Sequence, residues 1–208
     1  MIRGLFITFE GTDGSGKTTQ IELLTEYLKE KGHQVLNTIE PGGTSLGNNI
    51  RHLLLNRKNA GMSPRAETLL FQASRAELTS KIIAPALDSG KIVICDRFYD
   101  STIVYQGMAR GLGTEKIINM SLWATRGIEP DITFLLLFDR GNGLKRLSGG
   151  NMDRIEMEED SFQNNICQGY RELAGMFGHR IVKVDAELPI EEVFETVKHK
   201  VDLVLKES

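Results

Sequence analysis

The 208-residue sequence is poor in the residues that mark several large classes of protein. It has only two cysteines, Cys95 and Cys167, with no CxxC pair and no metal-ligand spacing. We therefore expect two reduced thiols in the core rather than a disulfide scaffold or a zinc site. No apolar run approaches the length of a membrane span. The sequence thus lacks the features of a disulfide-rich secreted domain and of a transmembrane protein.

Neither sign of charge dominates: the sequence has 25 basic and 28 acidic residues, which gives a net charge of −3. A protein whose main partner is a nucleic acid or an anionic membrane normally carries a basic excess, so we expect neither partner. The share of charged residues, 25%, is typical of a globular domain. Met1 stands almost directly before the first predicted strand, so we expect no signal peptide and a cytoplasmic location.

One glycine-rich stretch carries the strongest motif in the chain, GxxxxGK[ST]. It comprises Gly11, Thr12, Asp13, Gly14, Ser15, Gly16, Lys17 and Thr18. An apolar run at 5–9 precedes it and an amphipathic pattern at 20–28 follows, which predicts strand, loop and helix. The loop amides and the helix N-terminus of such a unit attract phosphate. The alternative is a glycine-rich turn without a ligand; we predict that this phosphate-binding loop (P-loop) binds a nucleoside triphosphate.

Three residues have predicted roles around the phosphates. Lys17 is placed to reach the β- and γ-phosphates, and the Thr18 hydroxyl to ligate Mg²⁺. Asp96 ends an apolar run at 92–95, which is typical of a carboxylate that holds Mg²⁺ directly or through water. For Asp96 the alternative is an aspartate that only caps the following helix.

Five predicted strands alternate with helical patterns, near 5–9, 34–39, 92–95, 132–138 and 180–184. This alternation predicts an α/β fold of the P-loop NTPase type, a three-layer sandwich with a five-stranded parallel sheet, in one domain over 1–208. A helix from Pro64 is expected to kink or end near Ile83, because Pro85 follows. In a helix over 45–55, Leu46, Ile50, Leu53 and Leu54 are expected on one face.

Polar segments follow the first three predicted strands, at the edge where ligands bind in open α/β sheets. The second is 40–44, with Glu40 and Pro41, and the third is 96–101, with Ser101. Arg97 in the third segment would pair well with a bound phosphate, the alternative being a structural salt bridge.

Two further arginines lie in helical patterns whose other faces are apolar. From the pattern alone, Arg51 and Arg75 are each more typical of a solvated surface arginine.

The class of enzyme follows from what surrounds the P-loop. Residues 137–140 lack the Asn-Lys-x-Asp that reads guanine, and 208 residues leave little room for the modules of a regulatory ATPase. A kinase for a small acceptor is the simplest class, since a lid must exclude water from the transferring phosphate. The glycine-bracketed basic segment at about 145–156 suits such a lid; its alternative is a surface loop.

Together these motifs resemble the thymidylate kinase family. The matching segments are 9–20, 40–44, 71–75, 96–107, 130–131, 143–146 and 153–156. The resemblance implies a transferase that uses ATP and Mg²⁺ to phosphorylate dTMP to dTDP, a step toward dTTP for DNA synthesis. It also implies a cytoplasmic enzyme that is often a homodimer.

The resemblance also implies roles for residues that would contact the nucleoside of dTMP. Phe71 would stack on the thymine and Arg75 would donate to its carbonyl, with Thr102 and Gln106 near the base edge. Tyr105 would lie under the deoxyribose and crowd a 2′-hydroxyl.

The remaining contacts that the resemblance implies lie nearer the reacting phosphates. Asp13 would accept from the 3′-hydroxyl of dTMP, while Arg97 and Arg51 would hold the acceptor phosphate. Such roles suit the chemistry, because guanidinium forks bind phosphate.

A catalytic arginine, which family members often carry in the P-loop or the lid, is harder to place. Gly14 and Ser15 exclude the P-loop position, and Arg146 and Arg154 flank the glycine-rich lid segment. We predict that Arg154 swings with the lid and supplies the mobile charge, with Arg146 as the alternative.

Two other functions remain open from the sequence. One is another small-molecule P-loop kinase, such as a deoxynucleoside kinase, which a comparison of dTMP with thymidine as acceptor would separate. The other is a nucleotide-dependent switch, which would hydrolyse ATP slowly and show no acceptor-dependent release of ADP.

Overall fold

Each of the five predicted strands belongs to one parallel sheet. The strands are β1 (Phe6–Glu10), β2 (Val35–Ile39), β3 (Ile92–Asp96), β4 (Ile132–Leu137) and β5 (Ile181–Asp185). This computed structural model describes residues 3–138 and 153–207. The strand order is β2-β3-β1-β4-β5, with every neighbouring pair parallel. The predicted sheet is confirmed, with all strand boundaries within one residue of the prediction.

Helices connect these strands. The α-helices of the described ranges are α1 (Lys17–Glu30), α2 (Ser45–Leu55), α3 (Pro64–Leu78), α4 (Ala84–Asp88), α5 (Tyr99–Thr102), α6 (Thr114–Thr125), α7 (Asp160–Met176) and α8 (Ile190–Glu207). A 3₁₀ turn spans Arg57–Asn59, and π-helical segments span Thr79–Ile83 and Ile103–Ala109. Thr44 and Ser63 cap the N-termini of α2 and α3 through their side-chain oxygens.

The two faces of the sheet support separate apolar cores. Successive side chains of a strand point to opposite faces, so Phe6 packs into one core while Ile7 packs into the other. The Ile7 core includes Leu24 of α1 and Val197 of α8. The Phe6 core includes residues of α3 to α7, among them Leu78. Apolar cores therefore cover both faces of the sheet, which confirms the three-layer prediction.

Pro85 interrupts the regular helix without ending it. The π-helical segment Thr79–Ile83 joins α3 to α4, so the chain stays helical as far as Asp88. Proline has no N–H and its ring clashes with the carbonyl one turn earlier, and a wider π turn relieves both problems. The expected interruption near Ile83 therefore takes the form of a π segment.

Helix α2 uses a narrower apolar face than its sequence predicts. Ile50 and Leu54 are buried, as expected, whereas Leu46 and Leu53 are 51% and 50% exposed. Of the predicted face, the part with Ile50 and Leu54 is therefore buried, and the part with Leu46 and Leu53 faces solvent. Leu46 and Leu53 are seven residues apart and lie along one stripe on the solvent side of the helix.

The sheet order brings the polar segments together. Strand β3 lies between β1 and β2, so the carboxyl ends of these three strands are adjacent. Parallel strands end at one edge of a sheet, and in open α/β folds that edge binds the ligand. In the part of the chain that the structure describes, no helix combines the length and apolarity needed to cross a membrane.

Candidate active site

A cavity of about 530 Å³ opens at the carboxyl ends of β1, β2 and β3. Most residues predicted for the site line it: Asp13, Gly14, Gly16, Lys17, Thr18, Glu40, Pro41, Arg51, Phe71, Arg75, Asp96, Arg97, Ser101, Thr102, Tyr105 and Gln106. Residues 39, 55, 98, 153 and 155 also contribute to the wall. The three polar segments therefore converge on one site with three helical regions: α2, α3 and the helical stretch 99–109.

The P-loop connects β1 to α1 through backbone conformations that favour glycine. Gly11 has φ +133°, and a Cβ there would lie 2.4 Å from the carbonyl oxygen of Leu136. Gly16 has φ +90° and caps α1. The other predicted loop residues, Gly11, Thr12 and Ser15, are not part of the cavity lining. The Ser15 amide donates a hydrogen bond to the Thr12 carbonyl within the loop. The loop is thus held in a tight turn ahead of a helix N-terminus.

Lys17 lies over the P-loop with its ammonium group close to backbone oxygens. Its Nζ donates to the carbonyls of Gly11 (3.2 Å) and Thr12 (2.9 Å). Burial and the nearby charge of Arg97 lower the pKa of Lys17 to about 8. Phosphate oxygens would be better acceptors for this buried cation than neutral carbonyls, so the site favours a polyanion.

Asp96 has an unusual carboxylate. Its Oδ1 is buried and has no hydrogen-bond partner among residues 3–138 and 153–207. A buried oxygen without a donor suits a cation, and Asp96 lines the same cavity as Thr18 and Asp13. Mg²⁺ takes few protein ligands beside phosphates and water. These residues fit such an ion.

Arg97 stands at the centre of the cavity wall in a strained backbone conformation. Its φ is 65°, in the left-handed region that favours glycine. Its Nη2 donates to Asp13 Oδ1 at 2.7 Å, and its Nη1 donates to Ser101 Oγ (3.2 Å) and to the Tyr170 hydroxyl (3.1 Å). Partial burial acts to raise the pKa of Asp13, but Arg97 and Lys17 bring it below its usual value.

Glu10 holds in place the two hydroxyl groups that bind Arg97. It is fully buried, and its carboxylate accepts hydrogen bonds from the Phe98 amide (2.8 Å), the Ser101 hydroxyl (2.6 Å) and the Tyr170 hydroxyl (3.0 Å). Burial, reinforced by the charge of Asp100, raises the pKa of Glu10 from 4.5 to about 7. Sequence reasoning assigned no role to Glu10 or Tyr170, and Tyr170 comes from α7, 160 residues later.

We expect Glu10→Gln to remove part of the pH dependence of stability. A carboxyl whose pKa is raised on folding stabilises the fold fully below about 4.5, and that contribution is lost as the pH rises through about 7. The stability difference between pH 5 and pH 8 should shrink by on the order of 2 kcal/mol, because the glutamine amide does not ionise. Urea unfolding at the two pH values tests this, with the exposed Glu22→Gln of α1 as control. Parallel curves for wild type and Glu10→Gln would contradict it.

The opposite end of the cavity is built around Arg75. Its Nε and Nη2 donate to Glu40 Oε2 (2.9 and 2.7 Å), its Nη2 to Thr102 Oγ1 (2.7 Å) and its Nη1 to Gln72 Oε1 (3.0 Å). The interpretation of Arg75 as a solvated arginine was wrong, since it is 1% exposed. Its position depends on Glu40 in a distant segment, which helical periodicity does not reveal.

Aromatic rings form much of the wall near Arg75. Phe71 is half-buried on α3. Tyr105 lies in the π-helical segment Ile103–Ala109 and packs edge-on against Phe162 and Tyr170. The next residue, Gln106, also lines the cavity. Such π segments occur often at functional sites.

Arg51 reaches the same cavity from α2. It is half-buried, and its Nη1 donates to the Pro41 carbonyl at 2.8 Å. The interpretation of Arg51 as a solvated surface arginine therefore does not describe its position. The guanidinium lies beside the second polar segment, on the wall shared with Arg97.

Arg154 is not placed where a mobile catalytic arginine would be. The flanking Asp153 and Ile155 line the cavity, whereas Arg154 points to the other side and is buried. Its Nη2 donates to Glu67 Oε2 at 2.6 Å and its Nε to the Leu54 carbonyl at 2.7 Å. The prediction that Arg154 swings with the lid was therefore wrong, because Arg154 is held in a buried ion pair with Glu67. The alternative, Arg146, and most of the predicted lid lie outside the described residues.

We expect Arg154→Ala to act on stability rather than on the chemical step. Removing a partner from a buried ion pair should lower the free energy of unfolding by about 3 kcal/mol, while kcat of the folded enzyme stays within a factor of about 3 of wild type. Urea unfolding and saturating kinetics measure the two effects, with the exposed Arg65→Ala of α3 as control. A hundredfold loss of kcat at unchanged stability would restore the catalytic assignment.

Comparison with known proteins places this site in a family context. A family model described as Thymidylate kinase matches residues 9–197. The thymidylate kinase of Gloeobacter violaceus is 45% identical over 207 residues, covering 98% of this chain and 97% of the relative. That of Exiguobacterium sp. is 43% identical over 195 residues, covering 93% and 92%. The crystal structure of thymidylate kinase from Ehrlichia chaffeensis is 37% identical, covers 96% of this chain and 99% of its own, and has a TM-score of 0.77.

Proposed function

The chain belongs to the thymidylate kinase family, and from this premise we propose that its cavity is where ATP phosphorylates dTMP to dTDP, a step toward dTTP. One observation carries the assignment. A single cavity joins a P-loop lysine at one end to an aromatic and buried polar wall at the other, with Arg97 at the centre. A kinase needs this arrangement, because donor and acceptor phosphates must meet in line away from water.

We assign the P-loop end to ATP. On binding, Lys17 would exchange the Gly11 and Thr12 carbonyls for β- and γ-phosphate oxygens. Thr18 and Asp96 would hold Mg²⁺, which neutralises phosphate charge when bound. The unpartnered Asp96 Oδ1 supports this role within the described chain.

We assign the Phe71 end to the thymine base. Phe71 offers a flat face for stacking. The Thr102 hydroxyl accepts from Arg75 at 2.7 Å, so its own proton is available to a base carbonyl. Arg75 stands behind it, oriented by Glu40, the residue before Pro41. Gln106 completes the base edge with an amide oxygen.

We assign the centre of the cavity to the sugar and the acceptor phosphate. Tyr105 would lie under the deoxyribose, and Asp13 would accept from the 3′-hydroxyl. Arg97 and Arg51 would bind the phosphate of dTMP. Arg97 is positioned for this by Ser101 and Tyr170, and we propose that Arg97 and Lys17 supply the transition-state charge first sought in Arg154.

Tyr105→Ala should relax the discrimination against a ribose acceptor. The buried ring packs against Phe162 and Tyr170, so its loss leaves a void where a 2′-hydroxyl fits. We expect the ratio of kcat/KM for dTMP over its ribonucleotide analogue to fall about tenfold. Phe162→Leu, which disturbs the packing but keeps the ring of Tyr105, serves as control. An unchanged ratio would assign sugar selection to another residue.

We also propose a homodimer. The neighbouring helices α2, α3 and α6 each expose apolar side chains to solvent: Leu46, Leu53, Leu69 and Trp123. Trp123 is 84% exposed, which is uncommon for tryptophan outside an interface. A second copy of the chain would bury this surface. Light scattering should give twice the 23.2 kDa of one chain, and a monomer at micromolar concentration would refute the proposal.

A cytoplasmic location is consistent with the thiol chemistry. Cys95 is a thiol buried in the core, and Cys167 is half-buried rather than fully buried as predicted. A buried thiol such as Cys95 is typical of a protein from a reducing compartment.

The test of the function is a coupled assay of ADP release with a panel of acceptors. We expect dTMP to give the highest kcat/KM among the nucleoside monophosphates, and thymidine to give almost none. A preference for thymidine would favour a deoxynucleoside kinase. ADP release that is slow and independent of any acceptor would favour a nucleotide-dependent switch.

A further inference from the structure

Glu67 is a buried carboxylate behind the cavity wall that no part of the mechanism uses. It lies in the first turn of α3 and is fully buried. It accepts hydrogen bonds from Gln106 Nε2 (2.8 Å), from Arg154 Nη2 (2.6 Å) and from Arg110 Nε and Nη2 (both 3.3 Å). It therefore joins a residue of the cavity wall to two cations, the buried Arg154 and the half-buried Arg110.

Both guanidinium groups donate to Glu67. A carboxylate paired with guanidinium groups accepts hydrogen bonds and donates none. The side-chain amide of Gln106 must therefore turn its NH₂ group toward Glu67. The orientation of that amide follows from charge alone.

The other end of the amide faces a different environment. Gln106 Oε1 is buried and lacks a hydrogen-bond partner within the described ranges 3–138 and 153–207, while Gln106 lines the cavity. A buried acceptor without a donor favours a ligand that brings an N–H group. Thymine and uracil carry N3–H on their pairing edge, whereas the N3 atom of cytosine is an acceptor and would oppose Oε1.

We infer that Glu67 determines the pyrimidine specificity of the enzyme by holding the Gln106 amide so that its oxygen faces the base. This inference deepens the proposed function and rests on it, because it places the base of dTMP against Gln106. Glu67 is a positioning residue and touches no substrate. Arg110 and Arg154 keep its charge in place, which gives the buried Arg154 a role distinct from catalysis.

The substitution Glu67→Gln should invert the amide of Gln106. Two guanidinium nitrogens, Arg110 Nη2 and Arg154 Nη2, donate to Oε2 of Glu67, and one, Arg110 Nε, donates to Oε1. The larger number of donors at Oε2 should draw the oxygen of the new amide to that side. The NH₂ group of the new glutamine would then face Gln106. The amide of Gln106 must rotate so that its oxygen accepts from this NH₂ group, which turns the NH₂ group of Gln106 into the cavity. We expect the ratio of kcat/KM for dTMP over dCMP to fall at least about tenfold, the worth of one hydrogen bond.

Two controls separate positioning from a general structural effect. The ratio for dTMP over dUMP should stay unchanged in Glu67→Gln, since both bases carry N3–H. Glu158→Gln removes another carboxylate that pairs with Arg110 but does not contact Gln106, so it should leave both ratios unchanged. In a Gln106→Leu background, Glu67→Gln should have no further effect on specificity.

A measurement on the wild-type enzyme covers the case in which Glu67→Gln does not fold. In NMR spectra, the side-chain NH₂ of Gln106 should be protected from exchange with water before and after dTMP binds. Rapid exchange, or a folded Glu67→Gln enzyme with an unchanged dTMP-to-dCMP ratio, would overturn the inference. Failure of the proposed function would look different, because the wild-type enzyme itself would then not prefer dTMP.

Discussion

Lys17→Ala is expected to lower kcat by about 10³-fold while dTMP binding stays near its wild-type value. The ammonium group of Lys17 lies over the P-loop, 2.9 Å from the Thr12 carbonyl, and Phe71 and Arg75 belong to the other end of the cavity. Its charge therefore acts on the triphosphate and on the transferring phosphoryl group, and less on the acceptor. Single-turnover kinetics and calorimetry with dTMP measure the two effects separately.

The matched control is Lys17→Arg, which keeps a positive charge with a different shape. We expect a partial loss, since the planar guanidinium does not fit a loop that surrounds an ammonium group. Thermal unfolding should show that Lys17→Ala folds, because removing a desolvated cation does not weaken the core. Near-normal turnover of folded Lys17→Ala would contradict the assignment of the P-loop.

Arg75→Ala is expected to lower the free energy of unfolding by about 3–5 kcal/mol, the range for breaking a buried ion pair. Arg75 is 1% exposed and Glu40 is 3% exposed, and the two are linked by bonds of 2.7 and 2.9 Å. Burial raises the pKa of Glu40, and Arg75 opposes that shift. Without Arg75 the carboxylate would remain buried with no guanidinium beside it. Urea unfolding gives the stability change.

A double variant separates this structural role from recognition of the base. Arg75→Met with Glu40→Leu removes both charges and should recover most of the lost stability, since apolar replacements of a buried pair are often neutral. It should still fail to bind dTMP, because no guanidinium supports the donor at Thr102. Stability that does not recover, or dTMP affinity that returns with it, would contradict the account.

Local patterns were sufficient for the sheet and for the phosphate end of the site. A strand covered on both faces is largely apolar, as Ile92–Asp96 and Ile132–Leu137 are, and all five predicted strands are present. The P-loop was equally predictable, because its glycines, Lys17 and Thr18 act through consecutive backbone positions. The P-loop can be predicted because the residues expected to bind phosphate are consecutive in the sequence.

Spacing alone gave the wrong environment wherever a side chain depends on a distant partner. Arg75 resembles a surface arginine in its helix, yet it is buried beside Glu40, 35 residues earlier, and Thr102, 27 residues later. Arg154 was predicted to move with the glycine-rich lid segment, yet it pairs with Glu67, 87 residues earlier. A charged side chain can be buried only where an opposite charge is buried next to it. The packing of α3, which carries Arg75 and Glu67, determines which opposite charge that is.

The sequence by itself determined the parallel sheet, the P-loop and the strand ends where ligands bind, since each follows from short-range periodicity or from consecutive residues. Only the tertiary structure decided which carboxylate meets which guanidinium. Glu10, Tyr170 and Arg97 come from β1, α7 and the end of β3, and they meet because the sheet order sets those elements side by side. The energy of such a cluster depends on distances and burial, which are properties of the folded chain.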